Sequence, residues 1–239
     1  MNKITRKGRV LMNKADSVGA ENKEFSGKEF RKIHVRSKPA YDFFKRFFDF
    51  VIALIMLVVL AVPLAVIAII IVIDSPGASP VYVQKRVGKN GREFNFYKFR
   101  SMVPNAENML DSLLERNEMD GPAFKMKDDP RITRFGHIIR KTCIDELPQL
   151  LNVIKGDMSL VGPRPPLPRE VAMYDEYQKQ RLSVTPGITC FWQVTPDRNT
   201  VSFDEWMESD LRYIEERSIK TDLIILFKTV GTVFGMEGI

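Results

Sequence analysis

An uncharged apolar run from Phe50 to Ile73, 24 residues long, constrains this chain more than any other feature of its sequence. A helix of about 20 apolar residues can span the hydrocarbon core of a bilayer. The run is too long, and begins too late, for a secretory signal, and no small-residue cleavage site follows it. The sequence therefore predicts a membrane segment, closed by Asp74, and not a core helix.

The orientation of this segment is open because basic residues crowd both of its ends. Lys45 and Arg46 precede it and a larger basic group follows, so the positive-inside rule gives no direction for a straight span. Pro63 lies near the middle, where it removes a hydrogen bond and crowds the preceding turn. The segment is then either a kinked ordinary span or a re-entrant helix-break-helix. We favour the second, which keeps both basic ends in the cytoplasm.

The remaining composition is that of a globular domain suited to anionic partners. The chain has 239 residues, 44% hydrophobic content and a net charge of +6. A positive balance fits phosphates, acidic lipid headgroups or nucleic acid. Residues 1–44 predict a flexible basic arm, either solvated or in contact with anionic lipid. Residues 45–74 predict the membrane helix, and residues 75–239 predict one compact domain.

Several reaction classes lack the necessary residues. Cys143 and Cys190 lie far apart without metal-ligand spacing, and the only histidines are His34 and His137. Neither a disulfide framework nor a zinc site is indicated. Because no GxSxG motif is present either, hydrolase triads are disfavoured. Catalysis must rest on carboxylates and cations, with or without a metal ion.

Short elements are predicted after the membrane segment. Val81–Val83 and Glu93–Arg100 are expected to be extended around a Gly88–Gly91 loop, with Lys98 and Arg100 on one face. Residues 105–116 predict an amphipathic helix.

Two further helices are predicted near the C-terminus. Ser202 and Glu205 have capping-box spacing, at the start of a helix that carries Met207, Leu211 and Ile214. A last apolar face at Leu223, Leu226, Phe227 and Val230 is too short to span a bilayer. It either packs in the core or lies on the membrane.

Residues 130–165 carry the side chains best suited to chemistry. Pro148 is tolerated only in the first turn of a helix, which places the helix start near Cys143 to Asp145. Asp145 and Glu146 then lie at the positive end of the helix dipole, worth about 0.3 to 1 kcal/mol. The alternative is a capping box from Thr142 to Asp145, with no role beyond the helix start.

Cations near this carboxylate pair favour a phosphate site. They are Arg131, Arg134, Arg140, Lys141 and Arg164. Arg164 stands between two prolines in a stiff turn, and arginine suits bidentate phosphate contacts. Magnesium binds few carboxylates together with phosphate oxygens, and a carboxylate that attacks phosphorus forms an acyl phosphate. The spacing permits this chemistry without demonstrating it.

From Lys45 onward the sequence resembles the bacterial sugar transferases, the monotopic polyprenyl-phosphate hexose-1-phosphate transferases. The resemblance runs in order through KRFFD (45–49), DSPG (74–77), YKFRSM (97–102), DPRIT (129–133), DELPQL (145–150) and GDMSLVGPRP (156–165). It implies an α+β monotopic membrane protein with a re-entrant helix, a small cytoplasmic catalytic domain and amphipathic interfacial helices.

The resemblance also implies an activity at the cytoplasmic face of the bacterial inner membrane. Such enzymes transfer a hexose 1-phosphate from a nucleoside-diphosphate sugar, here expected to be a UDP-sugar, to undecaprenyl phosphate and release UMP. This reaction initiates exopolysaccharide, capsule or O-antigen type synthesis. The expected partners are these two substrates and the lipid bilayer, and dimerisation with a second copy of the chain is left open.

Residue roles follow from the same match. Asp145 would be the nucleophile, and Glu146 with Asp145 would bind Mg²⁺. The phosphate-binding cations would be Lys98, Arg100, Arg140 and Arg164. The supporting residues would be Asp157, Arg131 and Gln149.

The alternative is a membrane-anchored basic binding protein without catalysis. It accounts for the charge and the anchor, but not for two carboxylates among arginines. Nucleic acid is not expected as a partner, because the sequence has no helix-turn-helix, RNP or zinc pattern.

Overall fold

One long helix, a β-hairpin and a set of short helices make up the computed structural model, which describes residues 32–118, 121–124, 126–195 and 201–235. Residues 1–31 of the predicted basic arm lie outside the described residues. The α-helices are α1 Pro39–Asp74, α2 Arg134–Lys141, α3 Leu150–Lys155, α4 Pro168–Ala172, α5 Glu176–Lys179, α6 Phe203–Glu216 and α7 Ile219–Phe234. The strands are β1 Val81–Val87, β2 Glu93–Phe99, β3 Ser159–Val161 and β4 Gly187–Thr189. The predicted mixture of helix and sheet is confirmed.

Helix α1 begins at Pro39, earlier than the predicted start at Lys45. Proline suits a first turn because its missing N–H needs no partner there. No break interrupts the helix at Pro63, since the helix continues through Pro63 to Asp74, and a bend at Pro63 within the continuous helix stays a prediction. Proline removes only one hydrogen bond, and the apolar residues on both sides continue the helix. By length and composition α1 could cross a membrane.

The two faces of α1 have different surroundings. Ala53 and Ile71 are buried on the inner face, and Met56, Leu57, Leu64, Ile67 and Ala68 pack against the hydrophobic core beside them. The outer face is exposed along its whole length. It presents Phe43, Phe47, Leu54, Ile55, Val58, Val62, Val66, Ile69 and Ile73. An exposed apolar face of this length is typical of a membrane-associated helix and not of a core helix.

The predicted extended segments form an antiparallel hairpin in which Tyr82 pairs with Lys98. The turn uses Asn90 and Gly91, both at positive φ. Because alternate residues share a face, Tyr82, Arg86 and Lys98 lie on the same side of the hairpin. Arg100 lies just beyond the end of β2.

The helix predicted for residues 105–116 is wrong in form. Two short 3₁₀ helices, Ala106–Met109 and Asp111–Arg116, occupy the segment. Leu113 is buried, whereas Leu114 on the predicted apolar face is exposed. Without a continuous surface to pack against, an amphipathic pattern of this length does not impose a full α-helix.

The C-terminal helices divide between the core and the surface. The capping box of α6 is confirmed, since the Ser202 side chain accepts from the Glu205 N–H and Glu205 accepts from the Ser202 N–H. Met207, Leu211 and Ile214 are buried as predicted. In α7 the core alternative is wrong for Leu223, Phe227 and Val230, which are exposed, Phe227 by 74%.

Candidate active site

Asp145 and Glu146 lie in the first turn of a 3₁₀ helix, Ile144–Gln149, that leads directly into α3. The predicted helix start is confirmed, but the capping-box alternative is wrong. The Thr142 hydroxyl instead donates to the Ile138 carbonyl at 2.9 Å, at the end of α2. Cys143 precedes the pair at φ 56°, in the left-handed region that non-glycine residues rarely adopt. Both carboxylates therefore leave the backbone just after a sharp turn.

The Asp145 carboxylate is paired with Lys98 of strand β2. Its Oδ2 lies 2.8 Å from the Lys98 Nζ, and the Glu146 Oε1 lies 3.7 Å from the same ammonium. The Asp145 side chain is 2% exposed, against 21% for Glu146 and 24% for Lys98. Lys98 thus covers a buried carboxylate and leaves Glu146 accessible.

Asn152 explains why the helix and the strand meet at this place. Its Oδ1 accepts from the Tyr97 N–H at 3.1 Å, and its Nδ2 donates to the Asn95 carbonyl at 2.6 Å. The side chain thus continues the backbone hydrogen bonding at the free edge of β2. Because both amide atoms are used, the register between α3 and the residue before Lys98 is fixed.

Arg140 and Arg164 complete the cationic side of the site. Burial and the charge of Arg164 hold the pKa of the Arg140 guanidinium below its usual range, although Asp145, Asp129 and Glu146 act to raise it. Two arginines and two carboxylates therefore act on one another within a small space. An anion between them would relieve the repulsion of the arginines.

Arg86 is a site residue that the sequence analysis missed. Burial and the charge of Arg164 lower its pKa to about 10, opposed by Glu170, Tyr82 and Glu146. Its guanidinium lies 5.3 Å from the centre of the Phe96 ring. The signal was available, because strand alternation across the hairpin places Arg86 on the face that carries Lys98.

Three predicted residues serve other roles or lie elsewhere. Arg131 is buried and binds the Asp129 carboxylate through its Nε and Nη2, at 2.9 and 2.6 Å. This pairing, more than offsetting the effect of burial, holds the pKa of Asp129 low. Arg100 donates to the Ser79 carbonyl at 2.7 Å. Asp157 lies beyond the C-terminal end of α3, 12 residues after Asp145 in the sequence.

Gln149 is buried at the end of the 3₁₀ helix that carries Asp145. Its Nε2 has no hydrogen-bond partner in the part of the chain that the structure describes. A buried amide without a partner is costly, so a ligand or water contact is expected there. The supporting role of Gln149 stays a prediction.

An apolar cavity of about 370 Å³ adjoins Glu146. Ile52 and Met56 of α1 form one side, and Leu226 and Val230 of α7 form another. Among the described residues that line it, Glu146 is the only charged one. The site therefore joins an anion-binding group of cations to an apolar space, an arrangement suited to an amphipathic anionic ligand.

The carboxylates do not form a complete metal site. No group of three or more His, Cys, Asp or Glu side chains that could hold a metal ion occurs in the described ranges. Asp145 and Glu146 supply two carboxylates, which is enough for Mg²⁺ only if substrate oxygens or water provide the other ligands. The donor set fits magnesium under that condition.

Comparison with known proteins gives a consistent family. The model of the bacterial sugar transferase family matches residues 40–236. The galactosyl transferase CpsE of Streptococcus agalactiae is 49% identical over 191 residues, which cover 79% of this chain and 42% of that protein. The UDP-galactose-lipid carrier transferase of Erwinia amylovora is 44% identical over 84% of this chain and 43% of its own length.

A third relative has a length closer to that of this chain. The exopolysaccharide production protein ExoY of Sinorhizobium fredii is 39% identical over 82% of this chain and 88% of that protein. The chain thus spans less than half the length of the first two relatives and most of the third. The matched region includes the whole carboxylate and arginine group.

Proposed function

Because this chain belongs to the bacterial sugar transferase family, we propose that it transfers a hexose 1-phosphate from a nucleoside-diphosphate sugar to undecaprenyl phosphate. The nucleoside monophosphate is released, and the reaction initiates synthesis of an exopolysaccharide, capsule or O-antigen type glycan. The observation that carries this proposal is the Asp145–Lys98 pair beside Glu146, between the arginines and the apolar cavity. The name of the Erwinia amylovora relative supports a UDP-sugar as donor, and hence UMP as product.

The cations suit the diphosphate of the donor. We assign this role to Arg140, Arg164 and Lys98, and we add Arg86 because it lies on the same face of the hairpin as Lys98 and its charge acts on Arg164 and Glu146. A diphosphate carries more negative charge than the Asp145 carboxylate. We propose that it draws the Lys98 ammonium toward itself and uncovers the nucleophile.

Asp145 is the proposed nucleophile of a two-step transfer. Its carboxylate oxygen forms a bond to the phosphorus next to the sugar, and the bond from that phosphorus to the bridging oxygen breaks. The nucleoside monophosphate leaves with that electron pair. An oxygen of undecaprenyl phosphate then attacks the same phosphorus, and the Asp145 carboxylate is released unchanged.

Glu146 and Asp145 would hold the magnesium ion that the family resemblance implies. When bound, Mg²⁺ would neutralise charge on the phosphate oxygens. Glu146 is better placed for this role, because it is more exposed than Asp145 and farther from the Lys98 ammonium. The Asp145 oxygens are then left for the substrate phosphorus.

The apolar cavity suits the isoprenoid part of the acceptor. It lies between α1 and α7, whose exposed apolar faces would contact lipid, and it ends at Glu146 beside the reacting group. A lipid chain could enter it without passing through water. The proposed acceptor phosphate then lies near the cations while its tail remains in an apolar environment.

A re-entrant topology is proposed for α1, with the catalytic domain on the cytoplasmic face of the inner membrane. Near its start the Asp49 carboxylate accepts from the Ser159 hydroxyl at 2.6 Å, and near its end Ile71 packs against Phe99 and Ile139. The two ends of a spanning helix lie on opposite sides of a hydrocarbon core about 30 Å thick. A domain on one side of the membrane would then contact only the nearer end. Contact with one domain at both ends supports a continuous helix that bends at Pro63 and returns. The exposed apolar face of α7 supports an interfacial position for that helix.

The function is tested by supplying individual nucleotide sugars with undecaprenyl phosphate and magnesium to the full chain in lipid nanodiscs. We expect release of nucleoside monophosphate and a lipid-linked sugar, both dependent on one donor sugar. Retention of nucleic acid or acidic polysaccharide, without product from any donor, would instead support the basic binding protein.

The topology is tested with single cysteines in a background that lacks Cys143 and Cys190. Cysteines at Ser37 and Lys89, exposed positions before and after α1, should both be labelled from the cytoplasmic side by a membrane-impermeant reagent. A cysteine at Val62 should be protected by lipid. Pro63→Leu favours a straight helix and should move part of the population to a spanning form, with loss of activity. Periplasmic labelling of Ser37 in the otherwise unchanged chain would contradict the re-entrant topology.

A further inference from the structure

We propose that Arg181, held by Asp210, is a positioning residue that fixes the backbone of Arg164 for phosphate binding. This inference rests on the proposed function, in which Arg164 binds the donor diphosphate. Arg181 lies in a separate short helix, Gln180–Ser183, 17 residues after Arg164 in the sequence. The argument starts from the hydrogen bonding of the turn that carries Arg164.

The turn from Pro163 to Pro166 contains three prolines, which have no N–H to donate. Its backbone can form hydrogen bonds only through its carbonyls and through the one remaining N–H, that of Arg164. Each of its four carbonyls accepts a hydrogen bond. The donors are Gly187 N to Pro163 O at 3.0 Å, Arg181 Nη2 to Arg164 O at 2.8 Å, Arg86 Nη1 to Pro165 O at 3.0 Å and Val87 N to Pro166 O at 2.9 Å.

Two of these four donors are backbone groups and two are arginine side chains. A backbone donor must bring its own chain segment close to the turn. At Gly187 this approach leaves no room for a side chain, because a Cβ there would lie 2.0 Å from the Gly162 nitrogen. Among the described residues no backbone N–H donates to the Arg164 carbonyl, and Arg181 reaches this carbonyl from the core. The orientation of the Arg164 peptide therefore depends on where Arg181 is held.

Arg181 is held by buried partners at its Nη1 and Nη2, whereas its Nε has no hydrogen-bond partner among the described residues. Its Nη2 lies 2.5 Å from the Asp210 Oδ2, and both side chains are at most 1% exposed. Its Nη1 donates to the Tyr174 hydroxyl at 2.7 Å, and the Trp206 ring centre lies 5.3 Å from the guanidinium. A planar guanidinium bound at several points has little rotational freedom, so its donor toward Arg164 is aimed in advance.

Stability alone gives a weak reason for this pair. Taking two charges out of water costs about as much as their attraction returns, and apolar replacements of equal volume are often no less stable. Burial raises the pKa of Asp210 to about 6, against the charges of Arg181 and Arg164. Arg164 thus acts on Asp210 as well, and the pair is coupled to the residue that it positions.

The test is a double-mutant cycle of Arg181→Met and Arg164→Ala in the full chain in nanodiscs. Calorimetry with inorganic pyrophosphate gives affinity, and nucleoside monophosphate release gives kcat and KM separately. With Arg164 present, we expect Arg181→Met to lower pyrophosphate affinity and kcat/KM by about 10- to 100-fold. In the Arg164→Ala background, the same substitution should change either quantity by less than about twofold.

Arg217→Met is the matched control. Arg217 is also a buried arginine that donates to a carboxylate and a carbonyl, those of Asp42 and Arg36. Its loss should lower thermal stability without changing pyrophosphate affinity. If Arg181→Met does not fold by circular dichroism, Arg181→Lys and Asp210→Asn replace it in the cycle, with the same expected dependence on Arg164.

Equal losses in both Arg164 backgrounds, or no loss in either, would overturn the positioning role. A wild-type chain that binds pyrophosphate but transfers no sugar phosphate would contradict the proposed function alone. The double-mutant cycle is then evaluated from the pyrophosphate affinities of the four variants. A wild-type chain that does neither would overturn both proposals.

Discussion

Without any lipid acceptor, we expect the wild-type chain to release about one nucleoside monophosphate per active molecule, and Asp145→Asn to release none. The enzyme itself accepts the phosphosugar in the first half-reaction if Asp145 attacks phosphorus. The amide of asparagine keeps the shape of the side chain but lacks the charge and the nucleophilic oxygen. With lipid present, turnover of this variant should fall by on the order of 10⁴-fold or more.

Rapid quenching with a labelled nucleotide sugar measures this burst, and intact-protein mass spectrometry detects the sugar-phosphate adduct. Asp111→Asn is a suitable control, because Asp111 is an exposed carboxylate at the start of another 3₁₀ helix. Its burst should equal that of the wild type. If there is no burst but turnover with lipid is normal, the acceptor attacks directly in a ternary complex. Near-normal turnover of Asp145→Asn would leave Asp145 as a structural partner of Lys98.

Glu146→Gln should slow both half-reactions by about a thousandfold and raise the magnesium concentration needed for half-maximal rate. Glutamine has the same length but provides a neutral and weaker oxygen ligand. Because Glu146 is only 3.7 Å from the Lys98 ammonium, its charge also balances the cations of the site. The loss should therefore appear in both steps and not only in release of the first product.

Initial rates measured across magnesium concentrations, with and without a chelator, give this result. Glu115→Gln, at an exposed position in the helix Asp111–Arg116, is the control and should show the wild-type dependence. An unchanged magnesium requirement in Glu146→Gln would remove Glu146 as the metal ligand. A thousandfold slower rate with unchanged magnesium dependence would assign it a purely electrostatic role.

Local signals predicted the structure correctly only where the sequence pattern was strong. The hairpin around Gly88–Gly91 and the capping box of α6 are set by residues close together in sequence, and both are confirmed. The 105–116 helix and the break at Pro63 were also predicted locally, but were wrong. In both cases the pattern was marginal, and neighbouring turns decided the backbone conformation.

The site shows the same division. The position of Asp145 and Glu146 at a helix start followed from Pro148, whose ring is excluded from later turns. Which cations meet them could not be predicted in this way. Arg131 belongs to the same basic stretch of sequence as Arg140. Its guanidinium nevertheless binds the Asp129 carboxylate and is not available to a phosphate. Arg86 was overlooked because its strand lies far from the carboxylates along the chain.

Short-range patterns thus sufficed for the long apolar helix, the hairpin and the carboxylate pair, because apolar length, strand alternation and proline geometry act within a few residues. Packing between distant segments was required to join Lys98 to Asp145 through Asn152, to expose the apolar face of α7 and to place Arg181 behind Arg164. The energy of those contacts depends on burial and on partners in other elements. No segment specifies these partners by its own sequence, so they are defined only when the chain has folded.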